Sequence, residues 1–283
     1  MNIAIASGKG GTGKTTVATS VAYVLSEIGN KVSVFDCDVE EPNDHIFLGP
    51  ENIIEEVVEV GMPELIEEKC NSCGKCSDIC QFNSIFYTNG KPLFFSDICH
   101  SCRLCERICP EDAIKMVPKR IGVTKKGRVE NIFIRWGVLD IGQVLTTKVI
   151  EKVLEGLEGN KRINIIDSPP GTSCSAVASV KEADIVVLVT EPTPFGLHDL
   201  DVAVRMTRQM GKKIVVIINR SDLGDNKVKE YCAKNNIRII GEIPYIDEVA
   251  KIYSKGELIV KKIPAIRNRF LTIALNILSE AGI

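Results

Sequence analysis

Residues 6–16 read ASGKGGTGKTT, and the nature of that stretch decides the fold. It follows the apolar run NIAIA (2–6) and opens into VATSVAYVLSEIG (17–29), whose apolar residues recur at helical spacing. A glycine-rich turn between a strand and a helix is a place where backbone N–H groups and a helix N-terminus converge on an anion. Gly8 through Thr15 match the pattern G-x-x-x-x-G-K-[ST]. In that pattern the loop formed here by Gly8, Lys9, Gly10, Gly11, Thr12, Gly13 and Thr16 wraps phosphates. Lys14 neutralises them and Thr15 ligates magnesium.

Working outward, further short β-branched runs appear at KVSVFD (31–36), RINIID (162–167), DIVVLVT (184–190), KIVVIIN (213–219) and IRIIGEIP (237–244). Nearly continuous apolar strands separated by helical patterns predict an α/β fold, with a doubly wound, mostly parallel sheet covered on both faces. The chain has 283 residues, 45% of them hydrophobic, which suffices for a full core. A net charge of −2, from 35 basic and 37 acidic side chains, gives no field strong enough to indicate a nucleic-acid or anionic-membrane partner. No apolar run approaches the length of a membrane span, and the start lacks a leader pattern, so a cytoplasmic protein is expected. The stretch from Pro264 to Ile283 predicts a terminal helix packed through Ile266, Phe270, Ile273, Leu275 and Ile277, with membrane contact as the alternative.

Eleven cysteines in such a chain point to metal or redox chemistry rather than disulfides. Eight of them fall between Met62 and Pro118, where the strand–helix alternation stops. Cys70, Cys73, Cys76 and Cys80 are followed 29 positions later by Cys99, Cys102, Cys105 and Cys109, and Ser72, Ile79 and Ile85 recur at the same offset as Ser101, Ile108 and Ile114. The interval is therefore an internal repeat with too little apolar material for its own core. The expected organisation is a first part of a nucleotide-binding domain (1–61), an inserted module (62–118) and the remainder of that domain (119–283). After the module, Lys126-Gly127 between alternating runs predicts a hairpin turn.

KGGTGKTT, with its early Lys9, resembles the deviant Walker A motif of the MinD, ParA and nitrogenase-reductase superfamily. The resemblance implies an ATP-hydrolysing, magnesium-dependent P-loop enzyme, slow without a partner. It also implies a homodimer with ATP between subunits, Lys9 reaching the partner's nucleotide. FDCDVEEPNDHIFLG (35–49) is similar to the family's switch I, with Asp36 closing the strand and Asp38 orienting the attacking water. IIDSPPGTS (165–173) is similar to Walker B and switch II, with Asp167 in the magnesium shell and the Gly171 N–H on the γ-phosphate. Asn219 and Pro244 would lie beside the adenine.

The run C-x2-C-x2-C-x3-C-P resembles bacterial ferredoxins, in which three cysteines hold one 4Fe-4S cluster and the fourth reaches the other. That resemblance implies Cys70, Cys73, Cys76 and Cys109 on cluster one, and Cys99, Cys102, Cys105 and Cys80 on cluster two. Gln81 stands where the first half would carry proline. Zinc is the rival, although zinc sites commonly separate two C-x2-C pairs. His100 is expected at the surface, and Cys37 and Cys232 in the core. Cys174 has no second cysteine positioned to complete an intersubunit cluster, and the terminal C-x-x-C of Mrp-type carriers is absent. Three functions remain: nucleotide-gated electron transfer to an unidentified partner, delivery of iron–sulfur clusters to an apo-acceptor, or a MinD-like positioning ATPase whose clusters sense redox state.

Overall fold

The structure is a computed structural model and describes residues 1–157 and 162–282. Its first segment comprises β1 (Asn2–Ala6), α1 (Lys14–Glu27), β2 (Val32–Asp36), α2 (Asp44–Leu48) and the long β3 (Glu51–Leu65). The cysteine-rich middle holds α3 (Lys75–Asp78), β4 (Ile85–Thr88), β5 (Lys91–Phe94) and α4 (Leu104–Ile108). The chain returns through β6 (Ile114–Val129) and β7 (Ile132–Leu139) to α5 (Thr146–Leu154), β8 (Ile163–Asp167), α6 (Cys174–Val180) and β9 (Ile185–Thr190). It ends with α7 (Pro194–Gln209), β10 (Lys213–Asn219), α8 (Lys227–Lys234), β11 (Arg238–Ile243), α9 (Asp247–Tyr253), α10 (Ile259–Lys262) and α11 (Pro264–Glu280).

Nine strands form one sheet in the order β11-β10-β9-β1-β8-β2-β7-β6-β3. The seven from β11 to β7 are parallel. Every residue of β2, β8 and β9 is buried, as expected for strands covered on both faces. One core layer packs α1 and α11 on the sheet through Val21, Leu25, Phe270 and Ile273. The opposite layer is centred on Phe35, Ile150, Ile166 and Val204. In α11, Ile266, Phe270, Ile273 and Ile277 are buried, but Leu275 is half exposed. It falls on the other side of the helix, because helical spacing admits positions 270, 273 and 277 to one face and excludes 275.

β6 is antiparallel to β7, and β3 is antiparallel to β6. The β6–β7 hairpin forms, but not around Lys126-Gly127. Both residues lie within β6, and the turn falls on Glu130-Asn131, with Glu130 at φ 50°. Gly127 instead serves a close approach: a Cβ there would stand 2.9 Å from the Glu51 carbonyl oxygen. The ribbon β3–β6 runs unbroken through Met62 and Pro118, pairing Glu51 with Arg128 at one end and Leu65 with Ile114 at the other. It therefore belongs to the main sheet at one end and to the cysteine module at the other.

The module repeats itself in backbone as well as sequence. Ser72 and Ser101, Gly74 and Arg103, and Asn83 and Asp112, each pair 29 residues apart, all adopt positive φ. The pairing of Leu65 with Ile114 at the ribbon's end is echoed by that of Phe94 with Ile85 in the β4–β5 hairpin. Adding 29 to 65 and subtracting it from 114 turns one pair into the other, so the halves interlock rather than follow one another.

Candidate nucleotide site and cysteine module

The ends of β1, β8 and β2 stand side by side, with Ile5 paired to Asp167 and Asp167 to Asp36. This places the glycine loop, the second aspartate segment and the first one along a single edge, the usual crevice of an open parallel sheet. Gly13 caps α1 at φ 95°, and a Cβ there would come within 2.5 Å of the Asn219 side-chain amide. That amide donates to the Thr12 carbonyl oxygen at 2.9 Å, so Asn219 braces the loop from β10. At Gly8 the backbone of Asp199 leaves no room for a side chain.

The loop opens into a cavity of about 440 Å³, a volume ordinary for a small-molecule site. Gly10, Gly11, Gly13, Lys14, Thr15 and Thr16 form its floor. Asp38 lines one side, and Asn219 and Pro244 line the far end together with Tyr245 and Tyr253. Gly8, Lys9, Thr12, Asp167 and Gly171 do not line it. Gly8 and Thr12 shape the loop from behind. The Gly171 N–H donates to the Ser7 carbonyl oxygen at 3.0 Å in this conformation. Lys9 turns toward Glu191, 3.8 Å away, and Glu191 also accepts from Arg220 at 2.7 Å.

Among the polar groups beneath the loop, Lys14, Asp36 and Asp167 are buried, and Thr15 and Asp38 are half-buried. Burial holds the Lys14 ammonium below its usual range, against the attraction of Asp167 and Asp38. Burial likewise raises Asp38, while Lys14 pulls it back. Asp167 accepts from the Thr15 hydroxyl at 2.8 Å, and burial lifts it to about 7 despite Lys14 and that bond. Asp36 accepts the N–H groups of Asp38, Asn43 and Asp44, and so shapes the segment that follows β2. Its pKa is nonetheless raised, by burial and then by Asp167. A hydroxyl and carboxylate oxygens suit a hard cation such as magnesium, and Asp167 Oδ1 is buried without a partner. A glycine cradle, a buried lysine and an aromatic-lined far end likewise suit a nucleotide.

In the module the eight cysteines line two separate cavities. Cys70, Cys73, Cys76 and Cys109 share one with Leu65 and Ile114. Cys80, Cys99, Cys102 and Cys105 share the other with Pro63 and Met116. Each cavity thus takes three cysteines from one half of the repeat and one from the other. Backbone N–H groups point at sulfur: Ser84 at Cys80 (3.4 Å), Ser101 at Cys99 (3.4 Å) and Ala113 at Cys109 (3.2 Å). Burial raises Cys105 to about 11 and also raises Cys76. Cys80 is raised by burial, but the Ser84 hydroxyl and surrounding N–H donors outweigh this and leave it below its usual value. Sets of four thiols met by N–H donors fit soft iron–sulfur cores.

Cys37 and Cys232 are fully buried among apolar side chains. His100 is exposed and stacks on Phe82, with ring centroids 3.8 Å apart. Cys174 is exposed at the start of α6. Two features had escaped the reading of the sequence. Asp44 reads as an ordinary acidic residue opening a helix, yet it is buried against Asp36 and Asp167. Glu191, just beyond β9, was signalled only by its place at the functional edge of the sheet.

A loop that caps a helix, a buried lysine and a hydroxyl–aspartate pair at the switch of a parallel sheet define a P-loop nucleotide-binding protein. The chain belongs to the CobQ/CobB/MinD/ParA nucleotide binding domain family, which it matches over residues 3–259. It is 33% identical over 266 residues to an uncharacterised protein of Methanocaldococcus jannaschii, covering 92% of this chain and 90% of that one. An iron-sulfur cluster carrier protein of Aquifex aeolicus is 28% identical over 289 residues, covering 96% of this chain and 65% of the carrier. Among solved structures, the septum site-determining protein MinD of Pyrococcus horikoshii, complexed with Mg-ADP, superimposes with a TM-score of 0.61 at 22% identity. That comparison covers 99% of this chain and 97% of MinD, and it concerns the fold alone. Among the described residues, no helix is long and apolar enough to cross a membrane.

Proposed function

We propose that this protein is a magnesium-dependent ATPase that carries two 4Fe-4S clusters in an inserted ferredoxin-like module and uses its nucleotide state to gate electron transfer to a partner protein. The observation that carries the reading is the sorting of eight cysteines into two four-cysteine cavities at the end of a ribbon that extends from the nucleotide-binding sheet, separated from β2 by β7. Cys70, Cys73, Cys76 and Cys109 would hold one cluster, and Cys80, Cys99, Cys102 and Cys105 the other. Such clusters supply one-electron chemistry when bound.

At the other end, Lys14 and the loop N–H groups would hold phosphates, and Thr15 with Asp167 would hold the cation side. Asp38, which lines the cavity together with Lys14, would orient a water, a role that suits phosphoryl transfer, which depends mainly on positioning. The segment after β2 runs through α2 directly into β3, and Val39 accepts a hydrogen bond from Leu139 at the end of β7. A change in that segment on hydrolysis would therefore reach β3, which leads to the module, and, through β7, its neighbour β6, which returns from it. Lys9 would leave Glu191 to meet the nucleotide of a second copy, giving a homodimer.

A second reading, cluster delivery to an apo-acceptor, draws on the relatives named iron-sulfur cluster carrier protein, at 24–28% identity. Anaerobic iron and sulfide analysis with electron paramagnetic resonance tests the common ground. About eight irons per chain are expected, and Cys109→Ser should disturb the cluster of Cys70, Cys73 and Cys76 while leaving the other signal intact. Four tetrahedral sulfur ligands around zinc, or disturbance of the cluster of Cys99, Cys102 and Cys105 by Cys109→Ser, would defeat the assignment. A midpoint potential that moves with MgATP favours gated transfer. Loss of cluster iron to an apo-acceptor favours delivery.

A further inference from the structure

The carboxylate oxygens of Asp36, Asp44 and Asp167 all lie within 4.8 Å of one another, and all three residues are buried. Two of them have evident tasks. Asp36 receives three backbone N–H groups, and Asp167 receives the Thr15 hydroxyl. Asp44 receives no N–H or hydroxyl donor from any other residue: both its oxygens are buried, as is Asp167 Oδ1 beside it, and the one polar contact open to it is a proton shared with the Asp167 carboxyl, a place a cation can take instead. The backbone of Asp44 is itself held at the cluster, because its own N–H donates to Asp36 at 3.1 Å.

A buried carboxylate without donors is among the most costly arrangements a fold can contain. A third one beside two others compounds the cost by repulsion. Such a cluster is tolerable when a divalent cation spends part of its time there. We propose that Asp44 is a further oxygen donor, beyond Thr15 and Asp167, for a divalent cation of the magnesium or manganese class, and that the site holds this cation before nucleotide arrives.

The inference rests on reading Thr15 and Asp167 as the cation side of the nucleotide site. Magnesium in phosphate-handling sites is usually held by one or two carboxylates, with the substrate's own phosphates completing the charge. A third carboxylate supplies, in the nucleotide-free protein, negative charge that those phosphates otherwise bring. Asp44 therefore matters most when nucleotide is absent.

The test is titration of the chelator-treated full chain, clusters oxidised, with Mn2+ followed by its own paramagnetic resonance, without nucleotide and with ADP. Wild-type protein should bind Mn2+ without nucleotide, and Asp44→Asn should weaken that binding at least about tenfold, with a smaller loss when ADP is present. Melting provides an independent readout. In metal-free buffer Asp44→Asn should raise Tm by about 2–4 °C, because it relieves the repulsion, and should abolish the rise that Mn2+ gives the wild type. Asp44→Ser, which also removes the charge, should behave alike. Equal Mn2+ affinity in wild type and variants overturns the inference. So does a lower metal-free Tm with an unchanged response to Mn2+, which would make Asp44 a structural group only. Binding of Mn2+ by the wild type only with ADP overturns the inference and spares the nucleotide-site reading, whereas no binding in either condition overturns both.

Discussion

The two ends of the β3–β6 ribbon are built on opposite principles. At the sheet end, β2, β8 and β9 are buried throughout, and helices close both faces with Val, Ile, Leu and Phe. At the far end, the apolar cluster consists of Cys76, Ile85, Cys105 and Ile114, so half of its buried members are themselves candidate ligands. The nucleotide domain holds its shape by burying carbon. On the reading proposed above, the module would draw stability from the clusters its cysteines hold, because so small an apolar cluster does little to offset the entropy of ordering the loops around it.

The largest effect that follows is on the module alone. Removal of iron from the intact chain should raise amide exchange across residues 66–113 by at least about 100-fold and leave β1, β8 and β9 protected. Mass-resolved exchange checks this directly. Retained protection in the iron-free module would break the comparison. Lys14→Ala probes the opposite end. Loss of one buried, charge-assisted contact to phosphate should weaken ATP binding by about 10- to 100-fold, with iron content unchanged. Loss of iron in that variant would show that the two ends do not stand independently.

The same contrast explains what could be read in the sequence. The parallel sheet was legible because strands buried on both faces write themselves as unbroken apolar runs, such as IVVLVT in β9. The glycine loop was legible because backbone geometry there leaves little choice of residue. The grouping of Cys109 with Cys70, Cys73 and Cys76 is what the resemblance to bacterial ferredoxins implies, and those four side chains share one cavity. The ribbon was not legible. β3 is an edge strand with Ile53, Ile54 and Val57 exposed among glutamates, a pattern that resembles neither a buried strand nor an amphipathic helix. The turn at Glu130-Asn131 was missed because Gly127 offers the stronger turn signal, although it serves strand packing instead. Asp44 was invisible because its meaning lies in Asp167, a residue far along the chain on another strand.

The smallest effect concerns pH and is confined to the sheet end. Asp167 has its pKa raised to about 7 by burial, from an ordinary 3.8. Between those values the native state binds more protons than the unfolded one, so stability must fall as pH rises, with the loss extending through about pH 7. The slope is at most about 1.4 kcal/mol per pH unit for each proton involved. Trp136 is the chain's single tryptophan, buried in β7 and stacked on His45 with ring centroids 4.9 Å apart, so its fluorescence reports this domain rather than the module. Urea midpoints followed by Trp136 in metal-free buffer should therefore be higher near pH 6 than near pH 8. Asp167→Asn should flatten the trend, and millimolar magnesium should flatten it too, by supplying the positive charge that the proton otherwise brings. A flat profile between pH 6 and pH 8 in the wild type would mean that Asp167 is ionised in the native state throughout this range, with Lys14 as a sufficient counter-charge, and the carboxylate cluster would then need no cation to explain it.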